Sequence, residues 1–183
     1  VNPRRTETAH LVGEQVFIRP DTDVFFLLAF ARELIHSGGV DRERVNRYMR
    51  GYDRVAAVAE PWTAERQAAV TEVPAETLRD LVTSYREADG AALYCSTGIN
   101  HGRNGALAFW ALEAINAVSG NLDRRGGTLV GRGLLDFPGF AVKNGFMMGG
   151  ARSRIGSFAA VADSLPGGIL ADEILTPGEG QVR

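Results

Sequence analysis

Cysteine is almost missing: Cys95 stands alone in 183 residues. One thiol cannot make a disulfide framework within the chain, and no cysteine-based zinc or iron–sulfur site can be assembled from this stretch. His10, His36 and His101 lie far apart and have no metal-ligand spacing. Lysine is equally scarce, with Lys143 the only one. Arginine carries the rest of the positive charge; it offers a planar fork for phosphates and carboxylates, but a GC-rich coding sequence is the blander explanation. A basic excess is also lacking: net charge is −2 and the pI is near 6.0, which argues against nucleic acid as a partner. No apolar run is long enough to span a bilayer, and the longest, Val24 to Ala31, falls far short. There is no initiating Met and no charged leader. The opening Val-Asn-Pro-Arg and the closing Gly-Glu-Gly-Gln-Val-Arg both read as cut from a longer polypeptide, so the missing signal peptide carries no weight.

Hydrophobic residues make up 45% of the chain and charged residues 23%, enough for a folded core and unlike a disordered segment. The length suits one domain with an appendage. Val1 to Arg4 reads as the tail of a strand closed by Pro3, and Leu11 to Arg19 as a short strand stopped by Pro20. Asp21-Thr22-Asp23 signals a helix start, and Val24 to His36 is apolar almost all round, as a core helix would be. Short helices follow over Asp41–Met49, Tyr52–Ala59 and Thr63–Val70, then a longer one from Pro74 to Ala88. Ala91 to Ser96 reads as a buried strand, Thr97 to Gly105 as a Gly- and Asn-rich loop, and Leu107 to Ser119 as a second apolar helix. This alternation predicts an α/β fold with a parallel sheet flanked by helices, Rossmann-like in plan. It occupies residues 1–130. Residues 131–183 are Gly-rich with scattered arginines, among them Arg132, Arg152 and Arg154, and read as an extended segment leading into a further strand.

Three polar turns follow strands, where open α/β sheets bind ligands. In the first, Asn2-Pro3-Arg4-Arg5-Thr6, Asn2 suits a ribose or base edge and Arg4 or Arg5 a phosphate. A plain turn with exposed arginines explains it equally. In the second, Asp21-Thr22-Asp23, a carboxylate can accept paired hydrogen bonds from the N1–H and N2 amine of guanine; capping by Asp21 or Thr22 and a dipole role for Asp23 are the simpler reading. The third, Thr97-Gly98-Ile99-Asn100-His101-Gly102-Arg103-Asn104-Gly105, sets bare backbone N–H groups before a helix, which suits an anion. Its glycine spacing is not the dinucleotide fingerprint G-x-G-x-x-G. His101 either donates to a cofactor or faces solvent. Cys95 is read as a small buried hydrophobe. No nucleophile–base pair and no P-loop is present.

In this order, the motifs resemble those of the dimethyl-sulfoxide-reductase superfamily of molybdopterin enzymes. Val1 to Ala9 resembles its (Asn/Asp)-Pro-Arg-x-x-x-Thr-Ala element, and Ile18 to Asp23 its Pro-Gly-Thr-Asp element. Thr97 to His101 with Gly105 is similar to Gly-x-Asn-(Gln/His)-x-x-x-Gly, and Ser119 to Gly127 to Thr-Gly-Asn-x-Gly-Arg-Pro-Gly-Gly. The likeness covers residues 1 to about 130. Departures are Asp21 for the usual Gly, which would remove a flexible turn, and Asp123 and Arg125 for Gly and Pro, which would alter the backbone there.

The resemblance implies the molybdopterin guanine dinucleotide-binding domain of a larger oxidoreductase, formate-dehydrogenase-like in feel. It implies molybdenum held by a bis-molybdopterin guanine dinucleotide cofactor, with a 4Fe-4S cluster and the metal-ligating Cys, selenocysteine or Ser upstream. Asn2, Pro3, Arg4, Arg5 and Thr6, with Asp21, Thr22 and Asp23, would surround the guanosine; Thr97, Gly98 and His101 would lie near the pterin and molybdenum. Cys95 matches neither the metal ligand nor the cluster. The whole enzyme would transfer an oxygen atom or a hydride to or from a small-molecule substrate, pass electrons to a further subunit, and be cytoplasmic, or periplasmic given an export leader. The alternatives are a non-catalytic electron-transfer scaffold related to the large iron–sulfur subunit of respiratory complex I, and an unrelated nucleotide-binding module.

Overall fold

The computed structural model describes residues 1–131, 136–145, 150–161 and 164–183; Arg132 lies outside them. The chain divides into two compact units, Val1–Val130 and Gly131–Arg183. The first holds helices α1 (Glu7–Leu11), α2 (Asp23–His36), α3 (Arg42–Tyr48), α4 (Tyr52–Ala59), α5 (Ala64–Thr71), α6 (Ala75–Glu87) and α7 (Gly105–Val118), with a 3-10 turn at Thr97–His101. The second holds α8 (Phe137–Lys143), a 3-10 turn at Gly167–Ile169 and α9 (Leu170–Leu175).

Among the described residues there is no sheet. Only isolated bridges occur, Leu122 with Thr128, Arg152 with Ala159 and Val161 with Ser164. The expected Rossmann-like parallel sheet is therefore corrected to a helical bundle with extended connectors. A strand requires a ladder of bonds to a neighbour, and between the runs expected to be strands the described residues show only a single backbone bond, Asn2 N to Val16 O. Glu7–Leu11 is helical, and the chain from Val12 to Arg19 runs as a single pass whose Val16 carbonyl accepts from Asn2 N at 3.0 Å and whose Arg19 N donates to Thr71 O at 2.8 Å. The run 91–96 is extended and alternates, with Ala91, Leu93 and Cys95 against the core and Tyr94 87% exposed. Its partners are side chains on and beyond α7. Asn116 Oδ1 accepts from Leu93 N at 2.9 Å, Asn116 Nδ2 donates to Leu93 O at 3.0 Å, and Asn121 Oδ1 accepts from Ala91 N at 3.3 Å. Buried backbone groups need such partners, and amides supply them here in place of a neighbouring strand.

α2 is the centre of the first unit, packed against α4, α5, α6 and α7. Leu34 and Ala29 are wholly buried, and Phe30 meets Tyr85 of α6 edge-on with ring centroids 5.5 Å apart. Each buried Leu or Phe contributes about 1.5–3 kcal/mol, so this helix is held by its flanks rather than by its ends. In the second unit Arg154 Nε donates to the buried Glu173 at 3.0 Å, and the other Glu173 oxygen accepts from Ile155 N at 2.9 Å. That ion pair ties the turn at 154–157 to α9.

Candidate functional site

The turn before α2 is fastened from below. Ile18 is buried, Arg19 N donates to Thr71 O, and Thr22 Oγ1 donates back to Arg19 O at 2.6 Å. Thr71 belongs to a wholly buried polar set, in which its hydroxyl donates to Gln67 Oε1 at 2.6 Å while Gln67 Nε2 donates to Val73 O at 2.9 Å. Thr22 occupies the N-cap position, yet its hydroxyl makes no capping bond. Its main-chain carbonyl accepts from Phe25 N at 3.0 Å. Asp21 caps nothing either. It adopts φ 63°, and its Oδ1 accepts from Arg103 N at 3.0 Å, joining the turn to the loop before α7. Asp23, half-buried in the first turn of α2, has no hydrogen bond or ion pair among the described residues.

The loop before α7 is drawn tight by glycine. A Cβ on Gly105 would lie 2.6 Å from Asn100 O, and one on Gly102 would strike the Asp21 carboxylate. Between turn and loop lies a small, open cleft of about 10 Å³, lined by Asp21, Asp23, Val24, Ile99, Asn104, Gly105 and Ala108. Of the residues expected from the sequence, Asp21 and Asp23 meet there. Thr97, Gly98 and His101 sit exposed on the same loop without lining it. Ile99, Asn104 and Gly105 belong to the third turn expected from the sequence, without individual roles there, whereas Val24 and Ala108 lie outside the expected turns.

Asn2 to Thr6 does not contribute to the cleft lining. Asn2 Oδ1 accepts from Arg4 N at 3.0 Å, Arg4 O accepts from Gln15 Nε2 at 2.7 Å, and Thr6 Oγ1 caps α1 by accepting from Ala9 N at 3.2 Å. Arg4 faces Glu7 at 3.6 Å, both exposed; the backbone N–H of Glu7 itself, then Arg4, holds the Glu7 carboxyl below its usual range. Pro3 and Arg5 are exposed. The Cys95 thiol is pushed up, first by burial and then by the Glu113 and Asp23 carboxylates. A thiol so placed stays protonated near neutrality and is a poor nucleophile.

No family model matches the chain. It is 32% identical over 134 residues to a dimethyl sulfoxide/trimethylamine N-oxide reductase of Cereibacter sphaeroides, covering 69% of this chain and 16% of that protein. Over 170 residues it is 30% identical to a biotin sulfoxide reductase of the same organism, covering 88% and 22%. Over 126 residues it is 25% identical to the alpha subunit of an F420-dependent formate dehydrogenase of Methanococcus maripaludis, covering 69% and 19%. The motif order and these relatives agree. This chain belongs to the dimethyl-sulfoxide-reductase superfamily of molybdopterin enzymes. It spans about a fifth of the length of the relatives it matches. Acetylene hydratase from Pelobacter acetylenicus shares the fold, with a TM-score of 0.60 at 20% identity over 65% of this chain and 16% of that one.

Set against the superfamily's glycine-bearing turns, two departures prove conformationally silent. Asp21, at φ 63°, and Asp123, at φ 55°, both take the left-handed backbone that the resembling pattern gives to glycine. Asp is among the few L-residues that visit this region readily. The expected loss of the turn at Asp21 is thus corrected: the turn is kept, and a carboxylate is added to it.

Proposed function

We propose that this chain forms one wall of a molybdopterin guanine dinucleotide site in a molybdenum oxidoreductase, and that Asp23 takes the guanine edge. The observation that carries this reading is the half-buried, unpartnered Asp23 carboxylate in the cleft between the α2 turn and the α7 loop. Two parallel charge-assisted bonds from N1–H and the N2 amine suit a carboxylate, and adenine lacks that donor pair. The cleft holds about 10 Å³, room for roughly one water and far below the roughly 300–1,000 Å³ of small-molecule sites. The donor chemistry fits the edge of the base, and the space the base needs is completed by other parts of the polypeptide. Asn2 to Thr6 and Thr22 would add contacts to the guanosine, and Thr97, Gly98 and His101 would approach the pterin, as the motif resemblance implies.

When bound, the molybdenum centre supplies the two-electron chemistry for transfer of an oxygen atom or a hydride. This chain's own residues bind and orient. The same proposal includes a bis-dinucleotide cofactor, a 4Fe-4S cluster elsewhere in the polypeptide, a small-molecule substrate, an electron-transfer subunit as partner and a cytoplasmic location. None of the helices among the described residues is long and apolar enough to cross a membrane. The electron-transfer scaffold reading is not favoured, because the relatives named above are reductases and a dehydrogenase.

The test is Asp23→Asn in the full-length protein, which keeps size and removes the charge. Guanine and molybdenum content are expected to fall about tenfold or more, the loss of roughly one to two charge-assisted bonds. Full occupancy in the variant would leave Asp23 as a first-turn carboxylate serving the helix dipole only.

A further inference from the structure

One hydrogen bond joins the two sides of the cleft, and its acceptor is one of the residues at which this chain departs from the superfamily pattern. We propose that Asp21 is a positioning residue, not a ligand: its carboxylate is a latch that holds the α7 loop against the start of α2, so that the loop's cleft-lining residues close on the nucleotide. This rests on the reading of the cleft given under Proposed function, but the latch itself is testable without it.

Three observations converge. Asp21 Oδ1 accepts from Arg103 N at 3.0 Å, which directs that oxygen to the loop. Gly102 stands where any Cβ would strike the Asp21 carboxylate, so the loop is cut to receive it. Beneath, the turn is anchored by Arg19 N on Thr71 O, with Thr71 locked by the buried Gln67. A latch needs a rigid post, and the Gln67–Thr71 set provides one. Glycine at position 21 would serve the left-handed backbone at least as well as Asp. The carboxylate is thus not required by the turn, and its use is the bond it makes.

The experiment compares Asp21→Gly and Asp21→Asn in the full-length protein, first without cofactor, by amide hydrogen exchange of residues 102–104. Asp21→Gly keeps the backbone and removes the acceptor, so exchange there is expected to rise about tenfold, the loss of one hydrogen bond to a charged group. Asp21→Asn retains an acceptor and is expected to rescue exchange to within about threefold of the parent. The cofactor-loaded proteins are then passed through gel filtration and their retained guanine measured. Retention is expected to fall in Asp21→Gly and recover in Asp21→Asn. Unchanged exchange in Asp21→Gly overturns the latch. Faster exchange with undiminished guanine overturns its service to the nucleotide. Guanine missing from the parent protein itself would sink the cofactor reading instead, while the exchange arm still decides the latch. Asp23→Asn, expected to lose guanine without faster exchange at 102–104, separates ligand from latch.

Discussion

Asn116 shows how much one side chain can organise. It is wholly buried, answers both backbone groups of Leu93, and receives the Tyr85 hydroxyl at 3.0 Å. Asn116→Ala would orphan the backbone N–H and carbonyl of Leu93 and leave the Tyr85 hydroxyl with Ser119 Oγ alone. We expect a loss of about 2–4 kcal/mol, measured by urea denaturation. Tyr85→Phe takes the hydroxyl from Asn116 and Ser119 but orphans no backbone group, and is expected to cost about 1 kcal/mol. Equal losses in the two variants would contradict the idea that Asn116 holds the 91–96 run in place of a strand. Because that run leads straight into the α7 loop, the same side chain lies upstream of the cleft. Nothing in the local sequence around Asn116 announces this: a polar residue within an apolar helix pattern is visible, but its partner 23 residues earlier is not.

At the scale of elements, helices α2 to α7 were legible in the sequence, α1 was not, and the expected strands form no sheet among the described residues. Leu78, Val82 and Tyr85 recur at helical spacing and are buried together on α6, as their periodicity requires. Ala91 to Ser96 has the composition of a strand, but composition reports burial on a face and cannot report whether a second strand lies alongside. The site was legible in part for a related reason. Local turn chemistry identifies Asp21 and Asp23, whereas their meeting with Asn104 and Gly105 depends on how α2 packs on α7. Helix ends also carry strain that sequence reading passes over. Glu72 ends α5 at φ 65°, exposed, with its backbone N–H bonded to Ala68 O at 3.0 Å. Glu72→Gly is expected to stabilise by about 1 kcal/mol, seen as a rise of a few degrees in Tm. A fall would mean that the Glu72 side chain supplies a stabilising contact. The contrast with Asp21 is instructive, since the same conformation there is accompanied by a bond that glycine cannot make.

For the molecule as a whole, the main apolar core lies between Ile18 and Val118, inside the first unit. A chain ending at Val130 is therefore expected to retain its helical circular dichroism and to unfold in one cooperative transition; a non-cooperative melt would show that residues after 130 are needed for that core. The relatives are several times longer than this chain, and a cleft of about 10 Å³ leaves most of the proposed site to other parts of such a polypeptide. What this part brings is stiffness. Asp23 is mounted on the first turn of a helix enclosed on its flanks by α4, α5, α6 and α7, so its carboxylate surrenders little conformational entropy when a ligand arrives. Recognition at such a pre-organised group is governed by stripping water from the charge rather than by reordering the chain, and a mutation deep on the far side of α2 would weaken binding by loosening the mount without touching the ligand.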